Sequence, residues 1–438
     1  MIKCYLLDGK PASTGENFDD FKTIEAVLRH NQSLLWEMPA EALVLLLDAW
    51  GKAIAKARDI LRTEGAAYLS FYLKRNNVEN LIRSSVGNLK YLDGFTASGR
   101  HPGKYLKAQG RGIVCHWIAG NVKTLGIYSL INSLLGRNAN LLRIPEENAP
   151  EVLDILSLLE GISVECEGRS YSASELMKNT ALVSFDSRDE TLNRGMSGIA
   201  DARVIWGGES AVNAVSSLPK KTTCRDVVFG PKYSFAVMDS GFASGACASP
   251  EMIGRCMSAL AMDIAQFGQN ACSSPHVLFV EGAAARAEAV AESLGRALEK
   301  LAKRNPNVPG QAEASGIINE RARYALSLDR GLKASRDLSW TILLGSGPTL
   351  EEPLGGRCIY IKNIDDIFML EDQVTKRVQT IGFECADREK AARFADRATR
   401  RGADRIVRFG GMNAYEAPWD GTFLLNELVR WCSLDMGN

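Results

Sequence analysis

Ala202-Arg-Val-Ile-Trp206 runs straight into Gly207-Gly208 and then into a helical stretch from about Ser210. The five residues are short and mostly apolar, as expected of a strand buried on both faces. A glycine pair between strand and helix leaves backbone N–H groups open to close approach by a phosphate. The same succession lies upstream. Gly112-Ile-Val-Cys-His116 reads as a strand, Trp117-Ile-Ala-Gly-Asn121 as an irregular turn, and a helix follows to about Leu135. Leu141-Leu-Arg143 is the next strand, residues 149–159 a helix, and residues 179–185 a further strand. Short apolar strands alternating with helices predict an α/β fold with a parallel sheet covered on both faces.

Working outward, the first hundred residues read as mostly helical. Leu43, Leu46, Leu47, Trp50, Ile54, Ala57 and Leu61 follow three- and four-residue spacing, one apolar stripe of a covering helix. After strands at 226–229 and 235–239 comes an Ala- and Gly-rich stretch, residues 241–249, which reads as the main boundary. A second alternation follows, with helices at 250–267, 283–303, 364–373 and 388–401. Its strands fall at 277–280, 341–344, 357–361, 379–383 and 405–408. The expected division is 1–247, 248–410 and a C-terminal segment 411–438. Within that segment a helix over 423–431 would pack back or support a homo-oligomer.

The chain has 438 residues, enough for two or three domains at about 150 residues each. Lys plus Arg and Asp plus Glu are both 52, so no global field exists to hold a polyanion. That argues against a nucleic-acid or anionic-membrane binder. None of the ten cysteines has C-x-x-C spacing, which excludes zinc-ribbon and thioredoxin readings. No signal-peptide pattern or membrane-length apolar run is present, so free thiols and a cytoplasmic location are expected. Four scattered histidines make a histidine metal site a poor fit. Gly110-Arg-Gly112 precedes its strand and lacks the third glycine of the dinucleotide fingerprint.

Gln266-Phe-Gly-Gln-Asn-Ala-Cys-Ser-Ser-Pro-His276 carries the most chemistry. Gly268 is suited to end the preceding helix, and a buried strand starts at Val277, so Cys272 falls in a tight polar connection. Such a loop can expose a sulfur and aim backbone N–H groups at it or at a nearby oxyanion. The residues alone allow an ordinary loop cysteine as well as a nucleophile. Cys256, on the apolar face of its helix, reads as core. His276 and His116 each read either as structural or as proton carriers.

Taken together, several strings resemble the acyl-CoA reductase family, the fatty-acid reductases of bacterial bioluminescence, within the aldehyde dehydrogenase superfamily. They are Ala119-Gly-Asn-Val122, Trp206-Gly-Gly208, Phe229-Gly-Pro-Lys232, Gln269-Asn-Ala-Cys-Ser-Ser-Pro275 and Gly410-Gly-Met412 followed by Asp420-Gly421, in the family's order from about residue 100 onward. The resemblance implies an aldehyde dehydrogenase-like fold, with a Rossmann-type nucleotide-binding domain and a second α/β catalytic domain. It implies NAD(P)H-dependent reduction of an acyl-CoA or acyl-carrier thioester to an aldehyde. Cys272 matches the nucleophile that becomes the acyl-enzyme, and Asn121 the oxyanion-hole amide. Gly207 and Gly208 match the turn facing the cofactor diphosphate, Arg143 the basic residue at the adenosine ribose, and Trp117 the cofactor-side loop.

Two departures matter. Aldehyde-oxidising relatives carry a water-activating Glu in an E-L-G-G-K string, where this chain has Val228-Phe-Gly-Pro-Lys232. Without that base, hydrolysis of the acyl-enzyme is slow and thiol exchange is favoured. Glu146 falls where NAD-preferring relatives hold the ribose hydroxyls, although the bioluminescence enzymes use NADPH. NADPH is therefore expected, with NADH as the alternative. An acyl-transferase or acyl-protein synthetase is the partner the resemblance implies. The rival readings are an aldehyde dehydrogenase producing free acid and a non-catalytic acyl-donor-binding member of a complex.

Overall fold

The computed structural model describes residues 1–11, 17–99, 102–243 and 249–437. The chain divides into two compact units, Met1–Gly230 with Tyr415–Asn438, and Pro231–Ala414.

In the first unit, five parallel strands lie in the order Arg225–Phe229, Ala202–Trp206, Ile113–Trp117, Ala139–Arg143 and Thr180–Ser184. Every residue of Ile113–Trp117, Thr180–Ser184 and Ala202–Trp206 is buried, as an apolar strand covered on both faces must be. From Ile113–Trp117 the chain moves to one side for two strands, then returns to the other side for Ala202–Trp206. The loops leaving these two adjacent strands therefore diverge, and a crevice opens at their carboxyl ends. Register brings Trp117 opposite Arg143 on one side and Ile205 on the other.

The predicted covering helix is Ala40–Lys56. Its stripe of Leu43, Leu46, Leu47, Trp50 and Ile54 is buried, and the Trp50 indole donates to the Ile155 carbonyl at 2.9 Å. Leu61 leaves the stripe, because the helix ends at Lys56 and residues Ile60–Arg62 form a separate turn. The N-terminal region also contains a strand that the helical reading misses. Ile2–Leu7 joins the sheet antiparallel to Thr180–Ser184.

In the second unit, the strand order is Gly331–Ala334, Thr341–Ser346, Cys358–Ile364, Pro275–Glu281, Tyr233–Met238, Val378–Glu384 and Arg405–Val407. All pairs are parallel except the first. Alternation along Tyr233–Met238 serves two cores. Ala236 and Met238 pack with the helices Pro250–Ala265 and Ala284–Arg304, while Phe235 and Val237 pack on the opposite face with Ile317, Phe383 and Phe394.

Two expectations need correction. The boundary lies at Gly230/Pro231, upstream of 247/248, which falls outside the described residues. The reason is hydrogen bonding: Tyr233–Met238 pairs with Pro275–Glu281 and Val378–Glu384 and has no partner in the first sheet. The helix expected over 423–431 is confined to Leu424–Glu427. Val429–Asp435 is instead a strand paired along its whole length with Lys104–Gly110. The local leucine spacing favours a helical turn, but the unpredicted partner strand captures the residues after it.

Candidate active site

The crevice of the first sheet holds a cavity of about 610 Å³. Trp117, Arg143, Gly207 and Gly208 all line it, together with Pro145 and Ala211. Gly208 is the residue preceding the helix Glu209–Ser216, whose first turn receives no side-chain cap. A Cβ built on Gly208 meets nothing within 4 Å, so the glycine leaves open space in front of the helix N-terminus. A Cβ on Gly207 would come within 3.1 Å of Ala211, so that glycine also serves close packing. The first-turn N–H groups and the helix dipole favour a negatively charged phosphate there. Arg143 donates to the Phe185 carbonyl at 2.9 Å and keeps its buried Nε without a partner. This donor set suits an anionic dinucleotide.

Trp117 contributes its ring and not its indole N–H, which Asn193 Oδ1 accepts at 2.9 Å. Asn121 is exposed, at the head of the loop leading to the helix Leu125–Leu135, and is not among the residues lining the cavity. Beside the cavity, Glu146 lies 2.5 Å from Lys3 of the N-terminal strand. Val228 is 44% exposed on the edge strand, so it is not core filler.

Beneath the crevice, His116 is fully buried, with Nδ1 at 2.8 Å from Ser129 Oγ and Nε2 at 3.1 Å from Asn140 Oδ1. Ser129 also receives the Trp206 indole N–H at 3.4 Å. Burial pushes the imidazole down to about 4, so at neutral pH it is an uncharged member of a structural network. His276 is likewise buried and lowered to about 4 by desolvation. Its tilted ring lies 5.6 Å from that of Tyr233. Neither histidine is set up as a charged proton carrier.

In the second unit, the helix Pro250–Ala265 ends in a turn where Phe267, Gly268 and Gln269 all have positive φ. This left-handed run reverses the chain within a few residues and delivers Cys272 just before the buried strand Pro275–Glu281. The turn is fastened at several points. Gln269 Nε2 donates to the carbonyls of Pro275 and Cys358, both at 2.9 Å. Ser234 Oγ donates to the Cys272 carbonyl at 2.7 Å and in turn accepts from the Thr380 N–H at 3.1 Å. Gln379 Nε2 reaches the Cys272 sulfur at 3.2 Å. Ser273 Oγ donates to Asn413 Oδ1 at 2.7 Å.

The Gly410-Gly-Met412 string forms the other wall of this support. Gly410 N–H donates to Asp263 Oδ2 at 2.5 Å, Met412 N–H to Oδ1 at 3.3 Å, and Asn413 Nδ2 to the Asp263 carbonyl at 2.8 Å. Burial raises the Asp263 carboxyl to about 7, against the opposing effect of the backbone donors. The sequence pattern did not single out Ser234, Asp263 or Gln379. A visible signal existed in the third case, a glutamine inside an otherwise apolar strand.

All nine described cysteines are free thiols, and Cys247 lies outside the described residues. Cys115 and Cys358 are buried, and their thiols are pushed up by desolvation, Cys358 to about 12. Cys272 is half-buried in a polar turn. Among the described residues no cluster of His, Cys, Asp and Glu suits a metal ion, and no helix is long and apolar enough to cross a membrane.

The model of the acyl-CoA reductase (LuxC) family matches residues 48–431. The chain belongs to that family. Similar curated proteins include the long-chain acyl-protein thioester reductases of Photorhabdus laumondii, 28% identical over 382 residues (84% of this chain, 72% of the relative), and of Vibrio harveyi, 27% identical over 369 residues (81% and 70%). Among solved structures, aldehyde dehydrogenase 21 of Physcomitrella patens matches with a TM-score of 0.70 at 12% identity (98% of this chain, 97% of that one). Methylmalonate-semialdehyde dehydrogenase of Oceanimonas doudoroffii gives 0.68 at 13% (98% and 96%). At those identities the structural likeness establishes the aldehyde dehydrogenase fold. As an acyl-CoA reductase of this fold, the chain is a nicotinamide-dependent oxidoreductase that reduces acyl thioesters to aldehydes, as the sequence motifs led us to expect.

Proposed function

We propose that Cys272 is the acyl-accepting nucleophile, that Asn121 supplies an oxyanion donor, and that Trp117, Arg143, Gly207 and Gly208 bind the coenzyme. In this reading the first unit is the nicotinamide-binding domain and the second the catalytic domain. The observation that carries it is the fixed turn at Cys272, with its carbonyl held by Ser234 and its sulfur reached by a buried amide. The Cys272 thiolate attacks the thioester carbonyl and forms an S-acyl bond; the carrier leaves as a thiolate and takes a proton from solvent. A bound reduced nicotinamide supplies a hydride. Cys272 then leaves as a thiolate when the thiohemiacetal collapses to the aldehyde.

NADPH is the proposed coenzyme, with NADH as the alternative. Glu146 would repel a 2′-phosphate, but the Lys3 ammonium beside it offsets that charge, and Arg143 adds another cation. The proposed substrate is a long-chain acyl group on a protein, another carrier or CoA, in keeping with the long-chain acyl-protein thioester reductases that the chain resembles. An acyl-transferase or acyl-protein synthetase partner, a cytoplasmic location and homo-oligomerisation belong to the same proposal. Aldehyde oxidation to free acid is disfavoured by Val228, which has no proton to move. Intact-mass measurement after incubation with acyl-CoA thioesters, without reductant, tests the reading. The wild type should gain one acyl mass, and Cys272→Ala should gain none; an acylated Ala variant overturns the assignment.

A further inference from the structure

We infer that Gln379 is a further catalytic residue, the hydrogen-bond donor that stabilises the Cys272 thiolate both when it attacks and when it leaves. This rests on Cys272 being the nucleophile, as proposed above. Gln379 is the second residue of the strand Val378–Glu384 and is fully buried. A glutamine amide in a packed sheet keeps its polar atoms only if each has a use. Its Nε2 lies 3.2 Å from the Cys272 sulfur.

The amide is held in one orientation from behind. Thr380 Oγ1 donates to Gln379 Oε1 at 3.3 Å, and Thr380 Oγ1 itself accepts from the buried Arg405 guanidinium at 3.2 Å. Because a hydroxyl donates to one end of the amide, the opposite end facing sulfur is the NH₂ group. Arg405 is fixed in turn by donating to the carbonyls of Met412 and Ala414 at 3.2 and 3.1 Å. The result is a chain of hydrogen bonds, guanidinium to hydroxyl to amide to sulfur, in which each bond polarises the next.

A donor aimed at sulfur favours its charged form over the thiol. The same N–H helps twice, because the sulfur carries negative charge before it attacks the thioester and again when the C–S bond breaks in the thiohemiacetal. Gln379 gives up no proton in either step. Thr380 and Arg405 are positioning residues, acting on the sulfur only through Gln379.

The test is the pH profile of Cys272 alkylation by iodoacetamide in the full-length protein, read by peptide mass spectrometry, for wild type, Gln379→Leu and Thr380→Val. Cys385 of the same unit serves as the internal reference. With Gln379→Leu the midpoint of the Cys272 profile should rise by about one pH unit, the size expected for losing one hydrogen bond to a charged group. Thr380→Val should move it less in the same direction, and the Cys385 profile should stay put. If both variants retain wild-type circular dichroism and the Cys272 midpoint does not move, Gln379 only fills space and the inference fails. A midpoint that rises while Cys272→Ala still becomes acylated preserves the thiolate contact but overturns the nucleophile reading, so the two failures are distinguishable.

Discussion

Replacing Asp263 by asparagine should change how stability depends on pH, with the sign fixed by burial. The carboxyl is fully buried and raised from its ordinary 3.8 to about 7. Between those values the unfolded chain ionises while the folded protein holds the proton, so stability present at pH 4 is lost as pH rises through about 7. At 1.36 kcal/mol per tenfold change in proton affinity, that loss approaches about 4 kcal/mol for the unit Pro231–Ala414. Asparagine cannot ionise and removes this dependence. Its NH₂ end, however, faces a backbone N–H that the carboxylate oxygens now receive from Gly410 and Met412, a mismatch costing about 1–3 kcal/mol. The variant should therefore be the less stable protein at pH 4 and equal or surpass the wild type by pH 8. Urea titrations of the full chain at several pH values measure this. Hydrogen exchange of peptides covering 405–414, corrected for intrinsic rates, localises it. Curves that remain parallel from pH 5 to 8 refute the reasoning.

Gly208→Val should leave the thermal midpoint within a few degrees of wild type, since its Cβ has room, while weakening binding of the reduced nicotinamide coenzyme roughly tenfold or more by screening the helix N-terminus; titration of nucleotide fluorescence reads this. His116 is held neutral, so the stability it contributes is present above pH 6.5 and declines as pH falls towards 4, by up to about 3 kcal/mol. His116→Leu should remove that acid sensitivity and cost about 2–4 kcal/mol at pH 7 by stranding Ser129 and Asn140, with reductase activity per folded molecule unchanged. Arg203 is fully buried, pairs with Asp226 at 2.7 Å and donates to the carbonyls of Val215 and Leu218 near the end of the helix Glu209–Ser216. Arg203→Met leaves Asp226 with Lys220 as its remaining cation and strands the Val215 and Leu218 carbonyls, and should cost about 1–3 kcal/mol, seen as a lower urea midpoint.

The parallel sheets were legible because strands such as Ile113–Trp117 and Ala202–Trp206 are buried on both faces and read as short, mostly apolar runs. Cys272 stood out for its polar turn, and Gly207 with Gly208 for their place between strand and helix. What escaped notice depends on partners far away in the chain. The strand Val429–Asp435 exists because Lys104–Gly110 is there to pair with it. Gln379 acquires meaning only when the sheet sets Val378–Glu384 next to Tyr233–Met238, bringing residue 379 to residue 272. Asp263 looks like an ordinary helix charge until Gly410 and Met412 return to it. Neither hydrophobic period nor turn chemistry records such pairings.

The pairing of Val429–Asp435 with Lys104–Gly110 has a consequence for synthesis on the ribosome. The second unit is complete once Ala414 has emerged, whereas the first waits for its last strand, more than 300 residues after the partner was made. At about 5–20 residues per second, Lys104–Gly110 stays uncovered on that edge for on the order of 15 to 65 seconds. A nascent chain in that interval carries an unpaired β edge, and premature termination near residue 428 would make the condition permanent. A binder for unfinished or truncated copies of this protein would be expected to engage it there.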